Sequence, residues 1–108
     1  IQEFERIGHG SGRAIGYGNL AEALLKAGDV TEAAAWCERA LQHAGAIGHR
    51  PTIADATRTR AQIALAQGRP DEAAAAADEA ARIYDEMGVE VDAADARRIA
   101  AQARAGTS

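Results

Sequence analysis

The chain has 108 residues, about the length of one small domain, and 29 of its 51 apolar residues are alanine. Alanine is the strongest helix former, while three valines and four aromatic residues are too few for a β-sandwich or a β-barrel. This composition predicts an all-α domain. Sequence-independent binding of nucleic acid requires a dense basic face, and the net charge of −4 argues against it, so we expect no direct nucleic-acid binding.

The first part of the chain carries the signals of two helices joined by a tight turn. We predict that residues 1–7 are the end of a preceding repeat helix and that the glycine-rich residues 8–12 form a loop. Apolar residues at helical spacing then predict a helix to about residue 27, which Gly28 ends by adopting the left-handed conformation. Asp29 stands three residues before Glu32, the spacing of a reciprocal capping box, and predicts a second helix to about residue 46.

The same signals return downstream. A third helix is predicted to end at Gly68, and a fourth begins at Pro70, whose missing amide hydrogen costs nothing in a first turn. A fifth helix is predicted with Asp92 and Asp95 at its positive end. The predicted organisation is one repeat domain over residues 1–108, with repeat 1 at 12–46, repeat 2 at 52–87 and the first helix of repeat 3 at 91–105.

An internal repeat of forty residues supports this division. Comparing each residue with the one forty positions later gives 20 identities in 68 pairs. A shuffled chain this rich in alanine would give about 8. Gly28 pairs with Gly68, and the run Glu-Ala-Ala-Ala at 32–35 returns at 72–75. One unit was therefore copied along the chain.

Helix-turn-helix units cannot bury their apolar faces alone, so they stack, with each first helix packed against both helices of the unit before it. We therefore predict an all-α fold in which antiparallel helix-turn-helix repeats stack as an α-solenoid with a concave and a convex face. Ala21, Ala61 and Ala101 share one repeat position. Small side chains at such positions let the backbones approach closely.

The first unit shows an aromatic residue, then a leucine and a small residue, a large apolar residue, a glycine before the turn, and small residues in the second helix. These positions hold Tyr17, Leu20, Ala21, Leu24, Gly28, Val30, Ala33, Cys37 and Ala40. In this pattern the chain resembles the tetratricopeptide repeat. The second unit keeps Ala61, Gly68, Ala73 and Ala80, but Thr57 and Arg60 stand where large apolar residues are expected.

The forty-residue period is longer than the 34 residues usual for the family. HEAT repeats have a similar period, but they lack the glycine-turn-alanine signature. The helix end Met87-Gly88 and the helix start Ala94-Asp95-Ala96-Arg97 resemble the arrays of large bacterial regulators of the LuxR and MalT type. The resemblance implies a non-catalytic module of a larger regulatory bacterial protein, which binds a protein or an extended peptide through its concave face.

Two alternative functions stay open. The array is alternatively a structural or oligomerisation arm of a signalling ATPase or transcriptional activator, or a sensor domain for an inducer or peptide. The fifth helix has no second helix of its own in the sequence, so we expect self-association through the exposed repeat ends. We also expect the chain to be a piece of a longer protein, because it begins at Ile1 within a helix.

The resemblance also implies which residues line the binding groove. The family's groove positions fall on Ile15, Gly18, Asn19, Glu22, Lys26, Asp55, Arg58, Thr59, Gln62, Asp95, Arg98 and Gln102. Independently of the family, the triplet Asp55, Arg58, Gln62 recurs forty residues later as Asp95, Arg98, Gln102. Spacings of three and four place each triplet on one helix face. The arginines are candidates for pairing with a partner's carboxylates; the alternative is an intrahelical Asp–Arg pair on a solvated face.

Four further residues are candidates for an interface, the core or a reactive group. Trp36, the only tryptophan, is a candidate interface residue, with packing at the edge of the helix seam as the alternative. Tyr84 and Phe4 are predicted to be core residues. Cys37, the only cysteine, is predicted to be a small buried apolar group, not a reactive thiol.

No catalytic or cofactor site is predicted. The acidic residues are spread one per turn, and no serine or cysteine has a histidine in a triad-like setting. His9, His43 and His49 have no carboxylates at ligand spacing, so we expect no metal site.

The cellular compartment follows from weaker signals. A lone cysteine fits a reducing cytoplasm, and no apolar run approaches the roughly 20 residues of a membrane span. We therefore expect a cytoplasmic protein without a membrane partner. Eleven arginines against the single Lys26, together with the alanine content, are typical of a GC-rich bacterial genome.

Overall fold

The computed structural model describes the backbone of residues 2–106 and the side chains of residues 12–106. This part of the chain forms five α-helices and no strand, which confirms the all-α prediction. The helices are α1 (Gln2–Lys26), α2 (Val30–Ile47), α3 (Arg50–Ala66), α4 (Pro70–Met87) and α5 (Glu90–Ala105). None of the helices within the described residues is both long and apolar enough to cross a membrane.

Each of the four turns between helices is built on a glycine in the left-handed conformation. Gly28, Gly48, Gly68 and Gly88 have φ of 89°, 67°, 74° and 75°. In each turn the glycine amide and the next amide donate back to carbonyls of the last helical turn, as in the bonds from Gly28 to Leu25 and from Asp29 to Leu24. A residue with a Cβ is strained at such a φ, so glycine at forty-residue spacing fixes where the helices end.

The start of α2 is capped as predicted, but in one direction only. The Asp29 carboxylate accepts a hydrogen bond from the Glu32 amide at 3.2 Å. The reverse bond, from the Asp29 amide to the Glu32 carboxylate, does not form because that amide already donates to the Leu24 carbonyl at 2.9 Å. Pro51 and Pro70 stand in the first turns of α3 and α4, where their missing amide hydrogens leave no helical bond unmade.

The predicted loop at residues 8–12 is wrong, because one helix, α1, runs from Gln2 through this segment to Lys26. Glycine costs about 1 kcal/mol relative to alanine inside a helix but does not forbid it. Neither proline of the chain falls in this segment, so no residue there prevents the helix from continuing.

The helices pack as a solenoid. α1 packs against α2 and α3 against α4 as antiparallel pairs, α3 also contacts both α1 and α2, and α5 contacts both α3 and α4. Eight alanines, which form four pairs at forty-residue spacing, are completely buried at these contacts: Ala14, Ala21, Ala33, Ala40, Ala54, Ala61, Ala73 and Ala80. Because these side chains are small, the helix axes lie close together, and few large apolar residues are needed.

The second repeat accommodates the polar residues that depart from the family pattern. Thr57 is buried, and its hydroxyl donates to the Ile53 carbonyl of the same helix at 2.6 Å. Arg60 instead reaches out to Glu38 on α2 and remains half-exposed. Neither polar group is buried without a partner, which explains how the degenerate second repeat keeps the same packing.

Candidate functional site

The first helices of the repeats, α1, α3 and α5, line one face of the array. This face carries two depressions that follow one another along the helix direction and meet at Glu22. We call the face the groove.

The larger depression, of about 370 Å³, draws on all three helices. Its apolar residues are Leu25, Leu65 and Ile99, one from each helix. Its polar residues are Glu22, Lys26, Gln62, Arg98 and Gln102. Polar groups that can orient a ligand, placed beside apolar side chains, are common in binding surfaces.

The smaller depression, of about 70 Å³, lies between α1 and α3. Its lining residues on α1 are Ile15, Gly18, Asn19 and Glu22, and on α3 they are Thr52, Asp55, Ala56, Arg58 and Thr59. Thr59 is held in place because its hydroxyl donates to the Asp55 carbonyl at 3.1 Å.

The groove residues implied by the family resemblance therefore lie together on one face. All of them line one of the two depressions except Asp95, which lies beside them and contacts both Arg58 and Arg98. Sequence reasoning missed the apolar residues Leu25, Leu65 and Ile99. Leucine recurs at positions 25 and 65, forty residues apart, and this recurrence could have indicated both residues.

Arg58 is the centre of a polar network that joins α3, α4 and α5. Its Nη1 donates to Asp92 Oδ1 at 3.1 Å and to Asp95 Oδ2 at 3.4 Å, and its Nη2 lies 3.8 Å from Asp55 Oδ1. The guanidinium also lies 5.2 Å from the centre of the Tyr84 ring. With only 23% of its side chain exposed, Arg58 is already bound by the protein itself.

Tyr84 of α4 contacts this network from the core, through its ring and its hydroxyl. Its side chain is 1% exposed, which confirms the core prediction, and its hydroxyl donates to Asp55 Oδ1. Burial, and then the hydrogen bond to Asp55, raise the pKa of Tyr84 well above its ordinary value of 10.0. The hydroxyl therefore keeps its proton and donates it to the Asp55 carboxylate.

Arg98 has a different environment although it holds the same repeat position as Arg58. Its side chain is 73% exposed, and its ion-pair partner is Asp95, three residues earlier on the same helix. Lys26 is similar: it is 76% exposed and lies 3.2 Å from Glu22 on its own helix. Exposed pairs of this kind contribute between zero and about 1 kcal/mol. The intrahelical alternative thus describes Arg98 well, whereas Arg58 makes its shorter contacts with another helix.

Trp36 lies half-buried at the edge of the seam between α1 and α2. Its ring centre is 5.2 Å from that of Tyr17, and the Arg39 guanidinium lies 4.5 Å above its ring. Tyr17 also meets the His43 ring edge-on at 5.2 Å. These contacts place Trp36 outside the groove, and its role as an interface residue stays a prediction.

Cys37 is buried, as predicted, and its thiol donates to the Ala56 carbonyl of α3 at 3.2 Å. Burial raises its pKa from 9.0 to about 11, so the reactive thiolate is scarce at neutral pH. The side chains of Phe4 and His9 lie outside the described residues. Among the side chains that the structure describes, no group of three or more His, Cys, Asp or Glu could hold a metal ion.

Comparison with known proteins agrees with this architecture. A family model described as tetratricopeptide repeat matches residues 12–86, which is more than half of the chain. No curated protein and no solved structure matched the chain. On the evidence of the repeat, the stacked helix pairs and this match, the chain belongs to the tetratricopeptide repeat family.

Proposed function

We propose that this chain is a non-catalytic interaction module that binds an extended peptide or a segment of a protein in the groove. Tetratricopeptide repeats generally mediate protein–protein interaction, and the chain belongs to that family. Its working units are repeat 1 at 12–46, repeat 2 at 52–87 and the first helix of repeat 3 at 91–105.

One observation carries the proposal: the larger depression brings together polar side chains and a small apolar patch from three helices. Leu25 and Leu65, both half-buried, offer a surface for one apolar side chain of a partner, and the buried Ile99 lies behind them. Gln62 and Gln102 stand beside it, and each carboxamide can both donate to and accept from a peptide backbone. A groove open along its length suits an extended segment better than an enclosed small molecule.

The wider context that we propose is a large regulatory bacterial protein. The forty-residue period and the Met87-Gly88 helix end resemble arrays in regulators of the LuxR and MalT type. In such a protein the module would recruit or sense a protein partner in the cytoplasm.

A peptide-display experiment tests the proposal. Random peptides are selected on the 108-residue chain, and binding of the selected peptides is then measured on two variants. Gln102→Trp places a bulky side chain in the groove, whereas Gln42→Trp makes the same change on the exposed outer side of α2.

We expect the Gln102→Trp protein to lose the selected peptides and the Gln42→Trp protein to keep them. Equal binding by the two variants would place the binding surface elsewhere and contradict the proposal.

A second candidate function is a structural or oligomerisation arm, and the outer face of α5 favours it. Ala94 and Ala101 are exposed there, although their counterparts Ala54 and Ala61 are completely buried under α4. Val91 on the same helix is 82% exposed. An exposed stripe at a position that is otherwise covered suits contact with a further helix.

Sedimentation over a wide concentration range tests this second function. If α5 is an oligomerisation surface, the average mass of the chain rises with concentration. Ala101→Glu then keeps it monomeric, whereas Ala75→Glu, on the exposed side of α4, does not. A monomeric mass at every concentration for the parent chain would count against self-association.

A further inference from the structure

A third concave site lies outside the groove, where α2 meets α3 and the first turn of α4. It is a pocket of about 230 Å³, open on one side, and we call it the α2–α3 pocket. The α3 residues that line it, at positions 60, 63, 64 and 67, lie on the side of that helix opposite the groove residues at 55, 58, 59 and 62. A ligand in this pocket would therefore not occupy the groove.

The pocket opens because the two junctions between repeats differ at one position. At the second junction, Arg104 of α5 reaches across to Asp78 of α4, with its Nη1 3.4 Å from Asp78 Oδ1. At the first junction, Glu38 is equivalent to Asp78, but Ala64 is equivalent to Arg104. The alanine methyl cannot span the distance that the arginine spans, so space remains beside Ala64.

The floor of the α2–α3 pocket is apolar. Cys37, Ile63 and Ala64 are 2%, 4% and 4% exposed, and Ala34 lies half-buried beside them. The Cys37 thiol already donates its hydrogen to the Ala56 carbonyl. A polar group placed on this floor would give up its hydrogen bonds to water without replacing them, so the part of a ligand that enters must be apolar.

The volume limits the size of that ligand. A cavity of about 150 Å³ holds benzene, whereas pockets for drug-sized molecules begin at about 300 Å³. The α2–α3 pocket, at about 230 Å³, lies between these two sizes. A molecule of about ten non-hydrogen atoms therefore suits it.

Two arginine–glutamate pairs form the rim, and they differ in how firmly they are closed. Arg60 of α3 donates to Glu38 of α2, so this pair is joined by a hydrogen bond. The Nη1 of Arg69 lies 3.7 Å from Glu72 Oε2, beyond hydrogen-bond distance, and the two side chains are 60% and 68% exposed. Both members of this second pair can therefore take a further partner at little cost.

The charges of Arg69 and Glu72 cancel, which decides the charge of the ligand. A lone carboxylate is attracted by Arg69 but repelled by Glu72, and a lone ammonium has the opposite difficulty. A group with a carboxylate next to an ammonium can lie antiparallel to the pair and match both charges. An α-amino acid carries these two groups on one carbon.

We propose that the α2–α3 pocket binds a free α-amino acid with a large apolar side chain. The carboxylate pairs with Arg69, the ammonium pairs with Glu72, and the side chain packs on Ala34, Ile63 and Ala64. This site is separate from the groove, so it does not depend on the proposed function.

Four small molecules test the charge and the size requirements together. L-Leucine is the probe. 3-Methylbutylamine is leucine without its carboxylate, 4-methylpentanoate is leucine without its ammonium, and glycine is the charged part without the side chain. Dissociation constants are measured by titrating the 108-residue chain and following the backbone amide resonances of Ala34, Ala64 and Gln67, which line the pocket.

Two pairs of variants complete the design. Ala64→Arg fills the pocket with the residue found at the equivalent position 104, and Ala66→Arg adds the same charge at the exposed end of α3. Arg69→Gln removes the cation of the open pair, and Arg82→Gln removes a similarly exposed cation elsewhere on α4. Circular dichroism checks that all four proteins remain helical, and the second pair leaves the buried residues unchanged.

We expect leucine to bind the parent chain with a dissociation constant of about 1 mM. The amine and the acid should each bind about fivefold more weakly, and glycine should not bind measurably. Ala64→Arg should abolish leucine binding while Ala66→Arg keeps it. Arg69→Gln should bind the amine at least as tightly as leucine, whereas Arg82→Gln keeps the fivefold preference.

Three results would overturn the proposal. The first is that leucine leaves the amide resonances of the pocket unchanged. The second is that leucine, the amine and the acid bind the parent chain equally. The third is that Arg69→Gln and Arg82→Gln show the same preference for leucine. None of these results bears on the display experiment, which tests the groove on the other side of α3.

Discussion

The triplet Asp55, Arg58, Gln62 of α3 and the triplet Asp95, Arg98, Gln102 of α5 are identical in sequence and spacing, yet they have different surroundings. Arg58 receives Asp92 and Asp95 from α5 and the Tyr84 ring from α4, so it ties three helices together. Arg98 pairs with Asp95 of its own helix and stays largely exposed. A repeat position therefore fixes which face a residue occupies, whereas the neighbouring helices decide whether it stabilises the fold or remains available to a partner.

The largest expected effect comes from removing the guanidinium of α3. Arg58→Ala leaves Asp55, Asp92 and Asp95 without their shared cation and uncovers the Tyr84 ring. We expect the free energy of unfolding to fall by about 2 kcal/mol, since the guanidinium, only 23% exposed, joins three helices, while solvent screens the partly exposed carboxylates that it leaves behind. Urea unfolding followed by circular dichroism measures the loss. A loss no larger than that of Arg98→Ala would contradict the difference between the two triplets.

The pH dependence of the free energy of unfolding extends the comparison to a second pair of equivalent repeat positions. Cys37 of the first repeat corresponds to Ala77 of the second, and both are buried. Because burial raises the folded-state pKa of Cys37 to about 11 from 9.0, its contribution to stability is complete below pH 9 and is lost as the pH rises through 11.

Cys37→Ala makes the first repeat like the second at this position. Between pH 8 and about 10.5, we expect the free energy of unfolding to fall by about 2 kcal/mol more in the parent than in Cys37→Ala. Urea unfolding at the two pH values measures the difference. Parallel losses in the two proteins would mean that the thiol does not remain protonated in the folded state.

Tyr84→Phe removes the hydroxyl under the α3 triplet and keeps the ring. Asp55 then loses a buried donor, so we expect a loss of about 1 kcal/mol at neutral pH. The raised pKa of Tyr84 means that the neutral hydroxyl stabilises the fold below its ordinary pKa of 10.0 and that this stability is lost at higher pH. Tyr84→Phe should therefore lose less stability than the parent above pH 10. An unchanged alkaline profile would argue against the network.

The smallest effect on stability is expected at α5. Arg98→Ala removes only an exposed intrahelical pair, so the free energy of unfolding should change by about 0.5 kcal/mol or less. The same variant removes a side chain that lines the larger depression, so it should weaken binding of the display-selected peptides. A large loss of stability without a change in binding would reverse the roles assigned to the two arginines.

Much of the fold could be predicted from local signals. Glycines at forty-residue spacing marked the turns, because each turn requires a left-handed φ that other residues rarely adopt. The same reasoning failed at residues 8–12, where α1 continues through the glycines. A glycine permits a turn but does not impose one, and whether the chain turns depends on packing that the local sequence does not contain.

The candidate site was predictable by position but not by chemistry. Of the twelve groove residues that the family pattern implies, eleven line the two depressions, and Asp95 lies beside them. The network around Arg58 could not be foreseen, because Tyr84 and Asp92 lie 26 and 34 residues further along the chain and meet Arg58 only after the helices stack. Contacts of this kind depend on helix rotation, which a repeat pattern fixes only coarsely.

The most direct test of groove binding is to map where a display-selected peptide binds, from the shifts of backbone amide resonances in the 108-residue chain. We expect the shifted amides to cluster on α1, α3 and α5 around Leu25, Leu65 and Arg98, and the amides around Arg58 to move less. Shifts confined to α2 and α4, or centred on Trp36, would contradict a binding site in the groove.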